Sequence, residues 1–149
     1  MKSPNRIRRL LGAGLGAAVL VLAGCAEMTA ALHGGRTVNL LLSGTQEVPP
    51  VTTSARGEGS ITVADDGSVS GSVITSGVAG VAAHIHTGAR GENGPISVGL
   101  VKTGDNTWSV PAGARLNDAQ QAAFKAGKLY VNVHSATHKG GEIRAQLPQ

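Results

Sequence analysis

The chain has one cysteine and almost no aromatic residues: one tryptophan, one tyrosine and one phenylalanine in 149 residues. A lone cysteine excludes an intrachain disulfide and a Cys-type structural zinc site. No Ser-His-Asp order, paired-carboxylate site or basic aromatic patch stands out, and no repeat of 20–50 residues is visible. The longest apolar run, Leu10 to Leu22, is shorter than the roughly 20 residues a bilayer-spanning helix needs.

That run belongs to an address at the N-terminus. Lys2, Arg6, Arg8 and Arg9 form a basic segment, Leu10 to Leu22 an apolar one, and Leu22-Ala23-Gly24-Cys25 follows. This is the pattern of a bacterial lipoprotein signal peptide, cut before a cysteine that is then lipidated. Residues 1–24 are expected to be the signal peptide, and residues 25–36 a tether lipidated at Cys25. The domain proper is expected over residues 37–149. The expected location is the bacterial cell envelope, lipid-anchored to a membrane and facing the periplasm or the cell surface. Ala26, rather than an aspartate, after the cysteine points to the outer membrane.

The anchor changes what charge and sulfur can mean. The formal charge of +4 comes from 13 basic and 9 acidic residues. Four of the basic residues and none of the acids lie before Cys25, so the mature chain is balanced. The basic character is therefore no nucleic-acid footprint, and no nucleic-acid partner is expected. Lipidation consumes the only cysteine, which excludes a His₂Cys blue-copper centre. Met28, beside the anchor, is a poor candidate ligand. Any metal would be held by histidine, carboxylate or backbone.

Short alternating runs recur through the rest. Thr37 to Leu42, Gly57 to Ala64 and Ser68 to Thr75 read as strands, with Asp65-Asp66-Gly67 as a turn between the last two. Val81 to His86, Pro95 to Val101, Thr107 to Val110, Leu129 to His134 and Glu142 to Leu147 continue the series, with Gly140-Gly141 turning the last hairpin. One short helix is expected over Ala119 to Lys125, with Asn117 as N-cap, Gln120 three residues on, and Gly127 as stop. The fold class is all-β: an antiparallel β-sandwich of immunoglobulin or superoxide dismutase type with one short helix.

Four of the five histidines fall in two tight groups, His84-Ile85-His86 and His134 to His138. On a strand, side chains two apart share a face about 6.5–7 Å apart, so His84 and His86 can converge on one ion. In Tyr130-Val131-Asn132-Val133-His134 the valines face the core, and the tyrosine, asparagine and histidine share the other face. Val131, Val133, Ile85, Ile143 and Leu147 are expected in one core, with His84, His86 and His134 on the opposite side. If the two strands are neighbours, these histidines form a three-ligand site, with His138 as a candidate fourth. His33 lies in the tether. Neutral imidazole suits copper, with zinc as the alternative. The competing account treats the histidines as polar residues filling exposed strand positions. Glu142 and Arg144 share a face by alternation and read as a cross-strand charge pattern.

Four segments together carry a family resemblance. They are Ala83-His84-Ile85-His86-Thr87-Gly88, Gly94-Pro95-Ile96-Ser97-Val98, Leu129 to His134, and Gly140-Gly141-Glu142-Ile143-Arg144. With Leu42-Ser43-Gly44-Thr45-Gln46-Glu47-Val48-Pro49-Pro50 as opening strand and turn, they resemble the CHRD domain, first described in chordin and widespread in bacterial secreted proteins. The resemblance runs from about Thr37 to Leu147 and implies a β-sandwich. His84, His86 and His134 match its pattern. His138 is extra, in a loop where the family usually carries Asn-Pro or a similar pair. A weaker similarity, the His-x-His strand alone, is to copper–zinc superoxide dismutase.

Three functions follow from these readings. One is an envelope-anchored module binding a transition metal, copper before zinc. The second is a copper-dependent enzyme of superoxide dismutase type using the same residues. The third is a protein- or surface-binding domain without metal, as chordin's role implies. Edge strands of a sandwich can also pair two copies, so a homodimer is compatible with the pattern.

Overall fold

The computed structural model describes residues 34–148; the segment expected to be a signal peptide, Cys25 and His33 lie outside the described residues. Nine strands make one antiparallel sheet in the order β5-β4-β8-β9-β1-β2-β3-β7-β6. They are β1 (Gly35–Ser43), β2 (Arg56–Ala64), β3 (Val69–Ser76), β4 (Gly80–Thr87), β5 (Ile96–Gly99), β6 (Val101–Lys102), β7 (Thr107–Ser109), β8 (Leu129–Ser135) and β9 (Ile143–Leu147).

The expected two-layered architecture arises from this single sheet. β1 and β9 share one register pair, Ser43 with Arg144, so the sheet bends there into two halves. At its other margin the chain passes from β5 to β6 through Leu100, whose backbone N–H donates to the Ala83 carbonyl at 2.9 Å. The sheet is thus rolled nearly closed. The strand expected over Pro95 to Val101 is two: β5 pairs with β4, β6 with β7, and buried Leu100 turns inward between them. β1 begins at Gly35 rather than Thr37, because Gly35 and Arg36 already pair with Ala64 and Val63.

Alternation puts one core inside the roll. Leu40, Ile61 and Val73 from one half meet Ile85, Val131, Val133, Ile143 and Leu147 from the other. Each large aliphatic chain removed from water contributes about 1.5–3 kcal/mol. The helix α1 (Asp118–Lys125) buries Phe124. Its first turn is closed as expected: the Asn117 side chain accepts from Gln120 N and the Gln120 side chain accepts from Asn117 N, both at 2.9 Å.

The outer face of β8 and β9 departs from a half-buried strand. Tyr130, Asn132 and Arg144 are buried almost as fully as the aliphatic face, and Gln146 is buried beside them. They are roofed by the Gly88–Gly94 loop and the segment after β1. Gln146 Nε2 donates to Gly88 O at 2.9 Å, and Asn93 Nδ2 ties the loop to Val48 O at 2.7 Å. The charge pattern expected of Glu142 and Arg144 is absent for this reason. Arg144 lies under the roof, 1 % exposed. Glu142 precedes β9 and accepts from Thr53 Oγ1 at 2.9 Å.

Candidate metal centre

β4 and β8 are direct antiparallel neighbours. His84 stands opposite Asn132, His86 opposite Tyr130, and His134 opposite Ala82, one diagonal step from His84. Because β8 puts its valines inward, His134 leaves the core on the same side as the two β4 histidines. One nitrogen from each of His84, His86 and His134 lies within 4.8 Å of the others. Three nitrogens around one ion at about 2.0–2.1 Å sit about 3.3 Å apart, so closure needs side-chain adjustments of about 1 Å.

The rings are oriented by their surroundings. His86 Nδ1–H donates to Gly94 O at 2.9 Å, and His134 Nδ1–H donates to Lys139 O at 2.9 Å. A carbonyl on Nδ1 sets the tautomer and leaves a lone pair on Nε2, as the hydrogen-bond partners of metal-bound histidines do. The His134 Nε2 lone pair faces His84 Nδ1 at 2.9 Å. His86 Nε2 is buried with no hydrogen-bond partner among the described residues. A buried imidazole nitrogen without a partner is costly, and a metal ion is one way to satisfy it.

Gly94 is central to this arrangement. Its carbonyl holds His86 while its N–H donates to the Tyr130 hydroxyl at 3.2 Å. A Cβ at this position would run into the Thr87 carbonyl, so only glycine allows so close an approach. Tyr130 in turn stacks on His86, centroids 4.9 Å apart and rings 4° from parallel. His86 is therefore locked by a carbonyl at one edge and an aromatic face behind.

Burial pushes the His84 imidazole below its ordinary range, and repulsion by His134 and His86 adds to this. Burial does the same to His86, opposed by the Gly94 hydrogen bond and reinforced by His134 and Arg144. Both rings are thereby kept in the neutral form a metal requires. The cluster opens into a depression of about 430 Å³ lined by Val81, Ala82, Ile96, Ala136 and Lys139 besides the histidines.

His138, expected as a candidate fourth ligand, is not in the cluster. Its loop turns it the other way, with Nδ1 3.4 Å from Glu142 Oε2. The tight turn that closes at Gly141 N to His138 O fixes that direction. Its neighbour Lys139 supplies the carbonyl that orients His134, so the loop serves the site through its backbone. Two residues whose part in the site the sequence did not show are Gly94, quoted only within a CHRD-like segment, and Arg144, read as a cross-strand charge pattern with Glu142. Tyr130 shared the histidine face in the alternation, but its stacking on His86 had no separate signal.

A CHRD-domain family model matches residues 38–147, most of the chain. The protein belongs to the CHRD family. Membership covers every strand except the first residues of β1, and it includes all three clustered histidines. No curated protein and no solved structure gives a match. The CHRD domain here thus carries three histidines whose placement could hold one metal ion.

Proposed function

We propose that this CHRD domain binds one transition-metal ion, copper in preference to zinc, through His84, His86 and His134. The observation that carries the reading is the pair of backbone carbonyls, Gly94 O and Lys139 O, that take the Nδ1 protons of His86 and His134. Both Nε2 atoms are thus left as donors beside His84. Histidines filling surface positions have no need of such fixed tautomers. Three neutral imidazoles and no thiolate suit copper or zinc, and the order of divalent affinities favours copper. The signal pattern supports an envelope location with a lipid on Cys25, a compartment where copper is handled.

A second reading is an enzyme of superoxide dismutase type. It is supported by the half-exposed His84 and His134 at the floor of an open depression, which leaves room for a small ligand beside three nitrogens.

Titration of the purified protein with copper in the presence of a competing chelator tests the first reading. One equivalent should bind tightly, and the His84→Ala/His86→Ala variant should not compete. Equal copper affinity in the two proteins would leave the histidines as surface residues and favour a protein-binding module. A superoxide assay on the copper-loaded protein then separates binding from catalysis.

A further inference from the structure

Behind the histidines lies a buried charge. Arg144 is 1 % exposed, and its guanidinium carbon sits 3.4 Å from the centroid of the Tyr130 ring. The Tyr130 ring also lies parallel to His86, and β8 carries it between β4 with His86 and β9 with Arg144. Guanidinium, phenol and imidazole form one stack that ends at a candidate ligand.

The hydrogen bonds of this guanidinium go to neutral acceptors. Nη1 donates to Asn93 Oδ1 at 3.3 Å, and Nη2 to Glu92 O, Ala89 O and Gln146 Oε1 at 2.9, 3.2 and 3.2 Å. These bonds orient the cation without cancelling its charge. The acid nearest in effect is Glu47, 4 % exposed, whose Oε1 has no hydrogen-bond partner among the described residues. Gly141, at φ +130°, leaves room for Glu47 and the Asn132 amide, since a side chain there would strike both. Arg90, also on this side, is exposed and screened by solvent. A buried cation of this kind is expensive to keep.

We infer that Arg144, acting through the Tyr130–His86 stack, sets the metal site's preference toward monovalent over divalent copper, with Glu47 as the opposing charge. The inference rests on the copper reading above. The three imidazoles bring no charge, so an ion there meets the field of Arg144. That field penalises a doubly charged ion twice as much as a singly charged one. At a separation of about 10 Å and an effective dielectric constant of about 20, the difference is roughly tenfold in relative affinity. Arg144 and Glu47 are positioning and tuning residues; neither is a ligand.

The test measures Cu(I) and Cu(II) affinities separately, by chelator competition with and without ascorbate, on the purified protein at pH 8. Burial pushes the Glu47 carboxyl up to about 7, so it is ionised at that pH. Arg144→Gln should shift the Cu(I)-to-Cu(II) affinity ratio about tenfold toward Cu(II), lowering the midpoint potential by about 59 mV for one electron. Arg144→Lys, which keeps the charge, should stay near wild type. Glu47→Gln, nearly isosteric, should shift the ratio the opposite way, and it decides the matter if the Arg144 variants do not fold. Copper bound with the same ratio in Arg144→Gln or Glu47→Gln as in wild type overturns the inference while leaving the copper reading intact. Failure of the wild-type protein to bind copper in either state overturns both.

Discussion

His84 Nδ1 and His134 Nε2 face each other at 2.9 Å across the β4–β8 pair. With Nδ1 of His134 already donating to Lys139 O, the proton between the two rings belongs to His84. A metal ion held between them would need the neutral His84 ring to carry its proton on Nε2 instead of Nδ1, so that each ring offers one lone pair. His86, 5.4 Å from His84 between ring centroids, would supply the third nitrogen.

Replacing both β4 histidines, His84→Ala with His86→Ala, should weaken copper binding by more than about 100-fold, since loss of an outer-shell partner alone costs about 10–100-fold. The two changes differ in stability. His84 is half-buried and should cost little. His86 is buried and stacked on Tyr130, so its loss should cost about 1–2 kcal/mol. Thermal unfolding of the single variants checks this; equal Tm values would show that the stack contributes nothing.

Gly94→Ala tests the backbone that orients His86. The added methyl meets the Thr87 carbonyl, so the loop must shift and carry the His86 acceptor with it. Copper affinity should fall about 10–100-fold, with all three ligands still present. Chelator competition reads the effect, and a wild-type affinity would detach Gly94 from the site.

The lowered imidazole values of His84 and His86 fix a pH dependence. Both rings take up protons less readily in the folded chain than the ordinary value of 6.5. Between 6.5 and the lowered values the unfolded chain binds more protons, so stability rises with pH there. Without metal, the contribution is complete above about 6.5 and is lost as pH falls through the lowered values. Copper release should likewise centre below 6.5. Denaturant midpoints and copper titrations between pH 4 and 8 test both; a release midpoint above 6.5 would contradict the burial argument.

His138→Ala should leave copper affinity within about twofold of wild type, because the ring turns to Glu142 instead of the cluster. Its pairing with Glu142 is partly exposed, so the loss should stay below about 1 kcal/mol. A large drop in affinity would mean that the loop swings His138 onto the metal.

Cys25→Ser tests the anchor expected from the signal pattern. The variant should accumulate as uncleaved precursor or appear in the soluble fraction, whereas the wild-type chain should fractionate with membranes. Identical processing and fractionation of the two would remove the lipidation proposal.

The period-two pattern was enough for most of the strands, though not for the break at Leu100 between β5 and β6, and for the inward valines of β8 and the side on which His84, His86 and His134 emerge. Local chemistry was equally plain at Asn117 and Gln120, where the capping box closes as their spacing requires. These are short-range consequences of backbone geometry. What lies across strands was not legible in the same way. That β4 and β8 are neighbours, that Lys139 O and Gly94 O pin two rings, and that His138 turns away all depend on which strands pair and how loops return. The buried Arg144 is the clearest case. Alternation put it on the outer face of β9, where an arginine ordinarily meets solvent. Only the folding of the Gly88–Gly94 loop over that face turned an exposed cation into a desolvated one stacked behind a candidate ligand. A sequence specifies which face a side chain takes, but long-range packing decides what covers it.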